Sequence, residues 1–507
     1  MKHTLVLAGM SGTLLFLSFP KFGNGLVAWV ALVPLFFALK DATPRAGFRI
    51  GFLSGMVAHI GIFYWIVYVV VHYGYLPLYA GVGAMLLLAA YLSLFTAGFA
   101  AGVAYFRGRG IPLFLSAPLL WTCLEFLRAH LLTGFPWENL AYSQYLHVNV
   151  IQIADVTGTY GITFAIVLVN TVLFDLLANR FRGKPLLIEA VFAGVVVAGI
   201  LVYGHVRLAQ IDGALRGAPP LPVALIQGNI DQSIKWDAQY QKQTIDIYGE
   251  LSRQSIPPGK GLIVWPETAA PFHFQRPGPL REAVVDTARA SASALLLGSP
   301  SYEQEGGVVH YMNSAFLLGP DGSTSGRYDK VHLVPYGEYV PLRRFFPFIG
   351  KLVVGVGDFK SGRGYHPLAI DGLRLGVLIC YEGIFPEGAR TYKRGRAALL
   401  VNITNDAWFG RTSAPRQHLS MTVFRAVETR LPLVRAANTG ISAIVDPGGR
   451  IVSRTGLFER TVLKGDVKII DEQTRYAAYG DAFVYLCAAG LLAVILISTM
   501  RRNRRHA

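Results

Sequence analysis

The residues of this chain with the most chemistry in them are a cysteine that ends one apolar strand, an acid that ends another, and a lysine in a loop rich in proline and aromatics. Cys380 follows the run Leu375-Gly376-Val377-Leu378-Ile379 and is followed at once by Tyr381, Glu382 and Gly383. A thiol at a strand-to-turn junction is held rigidly while its sulfur faces a cleft, which is where a nucleophile belongs. It ionises near pH 8.5 when free, so it needs a neighbouring cation or base to attack efficiently. Two segments can supply one. In Gly261-Leu262-Ile263-Val264-Trp265-Pro266-Glu267-Thr268 an apolar strand runs into a proline and delivers Glu267 at its end. In the stretch from Arg327 to Glu338, Lys330 sits where charge is sparse, and an ammonium there needs a carboxylate or a reacting oxyanion for company. Ligands of open α/β sheets sit at strand ends, so three reactive groups at three loop ends point to one shared site. Taken singly, each has a plainer use, as a buried structural thiol, a solvated loop acid and a salt-bridge lysine.

These loops have to be carried by a domain. Between residues 212 and 470 short β-type apolar runs alternate with amphipathic stretches. The strand candidates are Val223–Gln227, Leu262–Trp265, Ala294–Gly298, Ser314–Leu318, Leu373–Ile379, Leu399–Ile403 and Leu433–Ala436. Helices are predicted over about 237–254, 278–292 and 415–430, and Asp321-Gly322 and Pro447-Gly448-Gly449 mark turns. The alternation implies an α/β domain, and about 260 residues suffice to bury its own core.

The rest of the chain is different in kind. Over 507 residues charged side chains make up only 15% and hydrophobic ones 52%, with mean hydropathy +0.41. An average soluble domain carries about 25% charge, so disorder is excluded and a wholly water-soluble enzyme is disfavoured. Three cysteines exclude a disulfide scaffold and any multi-cysteine metal site. Cys123 and Cys487 lie in apolar helical surroundings, where a free thiol packs as a small hydrophobe. The twelve histidines do not cluster at metal-ligand spacing, so neither metal nor other cofactor is expected.

Apolar runs long enough to cross a bilayer core of about 30 Å are expected at about 4–20, 25–39, 50–71, 77–106, 111–130, 162–178, 187–206 and 481–500. With the N-terminus cytoplasmic, the connections after even-numbered spans should hold the Lys and Arg. They do: Lys40, Arg45 and Arg49, then Arg107 and Arg109, then Arg180, Arg182 and Lys184, and finally Arg501, Arg502, Arg504 and Arg505. Most of the net charge of +16 is thus a topology signal, and nucleic acid is not an expected partner. The expected organisation is membrane helices one to seven over 1–210, a catalytic domain over 211–472 on the non-cytoplasmic side, and an eighth helix with a basic cytoplasmic tail over 473–507.

The three loops together resemble the nitrilase, or carbon–nitrogen hydrolase, superfamily. The motifs are "VWPET" around Glu267, "YDKVHLVPYGEYVP" around Lys330 and "GVLICYEGIFPE" around Cys380, followed by "NITNDAWFG" and "RAVETRLPLVRAANTGISAIVDPGGRI". Seven spans before such a domain and one after it, with "LLTGFPWENLAYSQ" and "IQGNIDQSIKW", look like the apolipoprotein N-acyltransferase family, and the likeness runs over essentially the whole chain. The resemblance implies an αββα sandwich beside an eight-helix membrane bundle in a bacterial inner membrane, with the sandwich periplasmic. It implies transfer of an acyl chain from a phospholipid to the α-amino group of the diacylglyceryl-cysteine of an apolipoprotein, through a thioester. It assigns a Glu267–Lys330–Cys380 triad, makes Glu338 the acid that orients Lys330, and puts Tyr381 and Glu382 beside the nucleophile. Trp236, Asn313 and Asn405 are further candidates for lining the cleft.

Both substrates are then lipids. The stretch Arg343–Val354 is too short to span and too apolar for an exposed loop, and is expected to dip into the interface as an arm hinged at Gly355 and Gly357. Glu125 and Arg128 are expected either to pair along their helix or to line a lipid-access cavity. The rival readings are a membrane-tethered amidase, in which water resolves the acyl-enzyme, and a transporter or receptor with a ligand-binding outer domain.

Overall fold

The structure is a computed structural model that describes residues 2–178, 184–255, 261–340 and 359–506. The arm expected at 343–357 lies outside the described residues. The chain divides into two compact units. One comprises Met1–Val67, Pro77–Ala209 and Tyr479–Ala507, the other Tyr68–Leu76 and Gln210–Ala478.

The first unit is helical. Among the described residues five helices are long and apolar enough to cross a membrane: Pro44–Phe63, Leu78–Arg107, Thr159–Ala178, Leu186–Gly217 and Ala482–Met500. Three of the eight expected runs fall short of that measure. The helix Lys2–Leu17 has 16 residues, about 24 Å at 1.5 Å per residue. The second run is split into a 3₁₀ turn, Gly25–Trp29, and a short helix, Val33–Ala38, with Pro34 in its first turn. Leu113–His130 carries Glu125 and Arg128. The third run is also cut: one helix ends at Phe63, and Trp65–His72 is a separate one.

Gly47, Gly51 and Gly55 recur every fourth residue and form a seam against Leu78–Arg107. A Cβ on Gly51 would lie 2.5 Å from the Ala100 methyl, and one on Gly55 would lie 2.9 Å from Ser93. Only a residue without a side chain permits that approach, which is how helices associate where apolar contact alone gives no advantage. The outer faces carry Leu187, Val195, Val202 and Leu486, all exposed. Glu125 does not form the expected ion pair with Arg128. It accepts hydrogen bonds from Leu140 N at 2.7 Å, Trp121 Nε1 at 3.0 Å and Thr163 Oγ1 at 2.8 Å. With Arg128, His59 and Glu138 it lines a cavity of about 50 Å³.

The second unit is a two-sheet sandwich, with twelve strands among the described residues. They are β1 (Pro220–Gln227), β2 (Leu262–Val264), β3 (Ala294–Glu305), β4 (Val308–Leu318), β5 (Thr324–Asp329), β6 (Leu368–Ile370), β7 (Leu373–Ile379), β8 (Leu399–Thr404), β9 (Leu433–Ala437), β10 (Ala443–Val445), β11 (Ile451–Arg454) and β12 (Thr461–Lys468). The sheet orders are β12-β1-β2-β3-β4-β5 and β11-β10-β9-β8-β7-β6. Each has a parallel centre, β1-β2-β3 or β7-β8-β9, with antiparallel strands outside it. The central strands are buried on both faces and so read as unbroken apolar runs.

The pleat sorts those residues. Ala224, Ile226, Ile263, Trp265, Leu295 and Leu297 form one cluster with Tyr248 and Val284 of the helices Ala238–Arg253 and Pro279–Ser291. Their alternates Val223, Leu225, Leu262, Val264 and Leu296 are equally buried, on the side where the sheets meet. The helices Pro386–Arg394 and Ala414–Thr429 cover the other sheet. The result is the expected αββα arrangement. A piece of the N-terminal half, Tyr68–Leu76, packs with this unit: the Tyr73 hydroxyl donates to Ala407 O at 3.0 Å and its ring meets Trp408 edge-on at 5.0 Å.

Candidate active site

Three strands end at one place. β2 runs out through Trp265 and Pro266 and places Glu267 in the turn beyond, where Thr268 takes φ +49°. β5 ends at Asp329, and Lys330 N donates to Asn313 O of β4 at 2.8 Å, so strand pairing itself sets the start of the lysine loop. β7 ends at Ile379, and Cys380 opens the 3₁₀ turn Cys380–Ile384 with φ +52°. Left-handed backbone costs a residue with a Cβ about 1–2 kcal/mol, and the structure meets that cost at the thiol.

Lys330, 1% exposed, lies between two carboxylates. Its Nζ donates to Glu338 Oε1 at 2.9 Å and stands 3.8 Å from Glu267 Oε1. Asn313 Nδ2 donates to both acids, at 2.8 Å to Glu267 and 3.0 Å to Glu338. Asn405 N donates to Glu267 Oε2 at 2.8 Å, and Val334 N to Glu338 Oε2 at 2.8 Å. Burial alone would push the ammonium's pKa down, but the Glu338 and Glu267 carboxylates outweigh it and hold it above the usual lysine range. The Cys380 thiol is pushed up, by burial first and by the Glu267 carboxylate second, with Lys330 opposing. At neutral pH the site therefore holds a protonated thiol and a fixed cation.

The other expected residues separate. Asn313 and Asn405 belong to this network, and Asn405 also donates Nδ2 to Gln232 Oε1 at 2.6 Å. Tyr381 is buried, its ring edge-on to Phe385 at 5.0 Å, and its hydroxyl has no hydrogen-bond partner among the described residues. Glu382 is wholly buried and its carboxylate is engaged within the domain. It accepts from Tyr328 Oη at 2.8 Å, Val331 N at 2.7 Å, His332 N at 3.1 Å and Ile379 N at 2.7 Å. It rivets the lysine loop to the thiol turn. Burial lifts its pKa to about 7, against the pull of those N–H donors. Trp236 is in none of these bonds. It is 40% exposed and lines a separate cleft of about 600 Å³ with Phe272, Tyr311 and Phe359.

Two family models match the chain. Residues 11–172 match the apolipoprotein N-acyltransferase N-terminal domain, and 222–474 match carbon–nitrogen hydrolase. The apolipoprotein N-acyltransferase of Geobacter metallireducens is 48% identical over 100% of this chain and 97% of its own length. That of Methylococcus capsulatus is 35% identical over 99% and 97%. The chain belongs to the apolipoprotein N-acyltransferase family. Among solved structures, a carbon–nitrogen hydrolase from Helicobacter pylori aligns with 49% of this chain and 89% of its own, at 18% identity and TM-score 0.37.

In this member of the apolipoprotein N-acyltransferase family, a ring of buried polar residues around the site went unnoticed in the sequence. Lys235, wholly buried, donates to Thr268 Oγ1 at 2.7 Å and to Glu267 O at 3.2 Å, and burial lowers its pKa to about 7. Asn438 Nδ2 donates to Asn405 Oδ1 at 3.1 Å and to Ile230 O at 2.8 Å. Asp406, His418 and Arg435 form an ionic cluster behind Cys380. Their one signal was that "NITNDAWFG" and the following helix carry charged residues inside otherwise apolar runs.

Proposed function

We propose that the chain moves a fatty acyl group from a membrane phospholipid, through a thioester on Cys380, to the α-amino group of diacylglyceryl-cysteine at the N-terminus of an apolipoprotein. The observation that supports this most is the buried constellation of carboxylate, ammonium and thiol, in a chain that aligns end to end with apolipoprotein N-acyltransferases. Glu267 takes the thiol proton as Cys380 attacks the ester carbonyl. The Lys330 ammonium, with backbone N–H groups near Tyr381, faces the oxygen that becomes negative. One such donor is worth about 3–4 kcal/mol of transition-state stabilisation. As the tetrahedral species collapses, Glu267 returns the proton to the glycerol oxygen and lysophospholipid leaves. An α-amino group ionises near pH 7.7–8.0. Its neutral form attacks the thioester, Glu267 takes its proton, and the proton returns to the sulfur. Glu338 and Asn313 hold Lys330 and Glu267 at their stations throughout.

Lipid substrates account for the helical unit. We read residues 1–210 and 473–507 as the membrane part, with eight crossings, and 211–472 as a periplasmic catalytic domain with both termini cytoplasmic. The distribution of Lys and Arg between alternate connections supports that orientation.

The test is the intact mass of the purified protein after incubation with phospholipid, beside Cys380→Ala. A hydroxylamine-labile acyl adduct on the wild type alone, discharged onto a diacylated lipopeptide, is the expected result. No adduct, or one cleared by water as fast as by peptide, overturns it in favour of a tethered hydrolase.

A further inference from the structure

The ionic cluster behind the nucleophile takes no part in the transfer as written, yet it touches the nucleophile's own backbone. We propose that His418 is a positioning residue, which grips the carbonyl of Cys380 and so holds the thiol in the left-handed turn that aims its sulfur into the site. The inference rests on the reading of Cys380 as the acylated residue.

His418, 1% exposed, projects from the helix Ala414–Thr429. Its Nε2 lies 3.0 Å from Cys380 O. A carbonyl oxygen can only accept, so Nε2 carries the proton. Nδ1 lies 3.1 Å from Arg435 Nη2 and 3.2 Å from Asp406 Oδ1. A guanidinium can only donate. Arg435 donates to Asp406 Oδ2 at 2.7 Å and also to Asn402 Oδ1, so Nδ1 faces both an acceptor and a donor that are themselves tied together. The Thr404 hydroxyl donates to Asp406 Oδ1 at 2.9 Å. The cluster thus fixes the plane of the ring, and the Cys380 carbonyl fixes the proton on Nε2.

The backbone before the thiol is tied in the same way. Tyr392 Oη donates to Val377 O at 2.7 Å, Asn402 Nδ2 donates to Leu378 O at 2.8 Å, and Ile379 N donates to Glu382 Oε2 at 2.7 Å. His418 makes the tether on the reactive residue itself, where φ is +52° and the backbone would otherwise relax to a commoner conformation. Such a relaxation swings the Cα–Cβ bond and takes the sulfur away from Glu267 and Lys330.

Two amide variants separate the tether from the cluster. His418→Gln carries its amide out to the level of Nε2, within reach of the Cys380 carbonyl. His418→Asn carries one only to the level of Nδ1, facing Asp406 and Arg435. The rate of thioester formation on Cys380 is read by intact mass in single turnovers, over a range of phospholipid concentrations. His418→Asn should slow the acylation roughly 10- to 100-fold, the scale of a misplaced reactive group, with the half-saturating phospholipid concentration unchanged. His418→Gln should stay within about threefold. Equal impairment of the two, or none in either, overturns the proposal. The wild-type protein gives an arm that needs no folded variant: ¹⁵N resonances of labelled histidine should show His418 protonated at Nε2. A neutral ring protonated only at Nδ1 overturns it. The adduct's location in the wild type is established in the same experiment, so acylation at another residue is told apart from an idle His418.

Discussion

On the first sheet the reactive groups are held by charge, and on the second by backbone. Glu267, Lys330 and Glu338 form a buried run of acid, base and acid bridged by Asn313, and the ammonium and the facing oxygen of each acid are located by neighbouring side chains. Cys380 sits in left-handed backbone with the residues before it tied down through their carbonyls and N–H groups. The two means suit two jobs. A carboxylate and an ammonium must keep their protonation states, which side-chain partners govern. A sulfur must point in one direction, which the chain's own dihedrals govern. Removing one member of a buried charge pair leaves the other uncompensated and costs about 3–5 kcal/mol, whereas removing the thiol leaves its cradle standing.

That contrast can be broken by experiment. Cys380→Ala should abolish lipopeptide acylation, a loss of roughly 10⁴-fold or more, while its thermal midpoint stays near that of the wild type. A large fall in midpoint would mean the sulfur helps to hold the turn. Glu267→Gln should slow thioester formation roughly 10²- to 10⁴-fold, the span of general base catalysis. A near-normal rate in single-turnover mass measurements would move the base elsewhere. Glu338→Gln should affect both properties, slowing acylation about 10- to 100-fold and destabilising by about 3 kcal/mol in chemical denaturation. Stability lost with the rate intact would reduce Glu338 to a structural partner.

The smallest effect concerns Lys235. Its folded pKa of about 7 lies below the unfolded value of 10.5. The folded state therefore binds fewer protons than the unfolded state between those values, and this group makes stability rise with pH across that window and level off below it. From pH 7 to pH 9 its contribution is about 2 kcal/mol. Lys235→Met should flatten the rise relative to the wild type in denaturation curves at the two pH values. Parallel curves would show that Lys235 keeps its proton in the folded protein.

Much of the second unit could be read in advance for a physical reason. Central parallel strands are apolar on both faces, so β7 was bounded at Leu373 and Ile379 from the sequence, and Glu267 and Cys380 stood where such runs ended. The helices over 238–253, 279–291 and 414–429 were also foreseen. The edge strands β5, β6, β11 and β12 were not, because half-exposed strands such as Thr324–Asp329 mix charge and glycine and carry no strong period. The polar ring around the site was hidden for the opposite reason. His418, Arg435 and Lys235 are buried through pairing across distant segments, and linear spacing says nothing of a partner 17 or 33 residues away. Glu382 was placed beside the nucleophile, but its four donors come from both loops, a division of labour only the fold reveals. In the helical unit hydropathy located the runs yet missed the break at Tyr64, since Phe63 and Trp65 are as apolar as the helices they end and begin.

Cys380 is the only cysteine of its unit, for Cys123 and Cys487 lie on the helices Leu113–His130 and Ala482–His506 of the other. An oxidised sulfur there finds no resolving thiol within reach of its own domain. A sulfenic acid at Cys380 cannot be cleared by a disulfide within its own unit and must either meet a thiol from outside that unit or climb to the irreversible acids. The enzyme's resistance to oxidants is therefore set by how rarely its thiol stands uncovered, and its recovery by the small-molecule thiols around it.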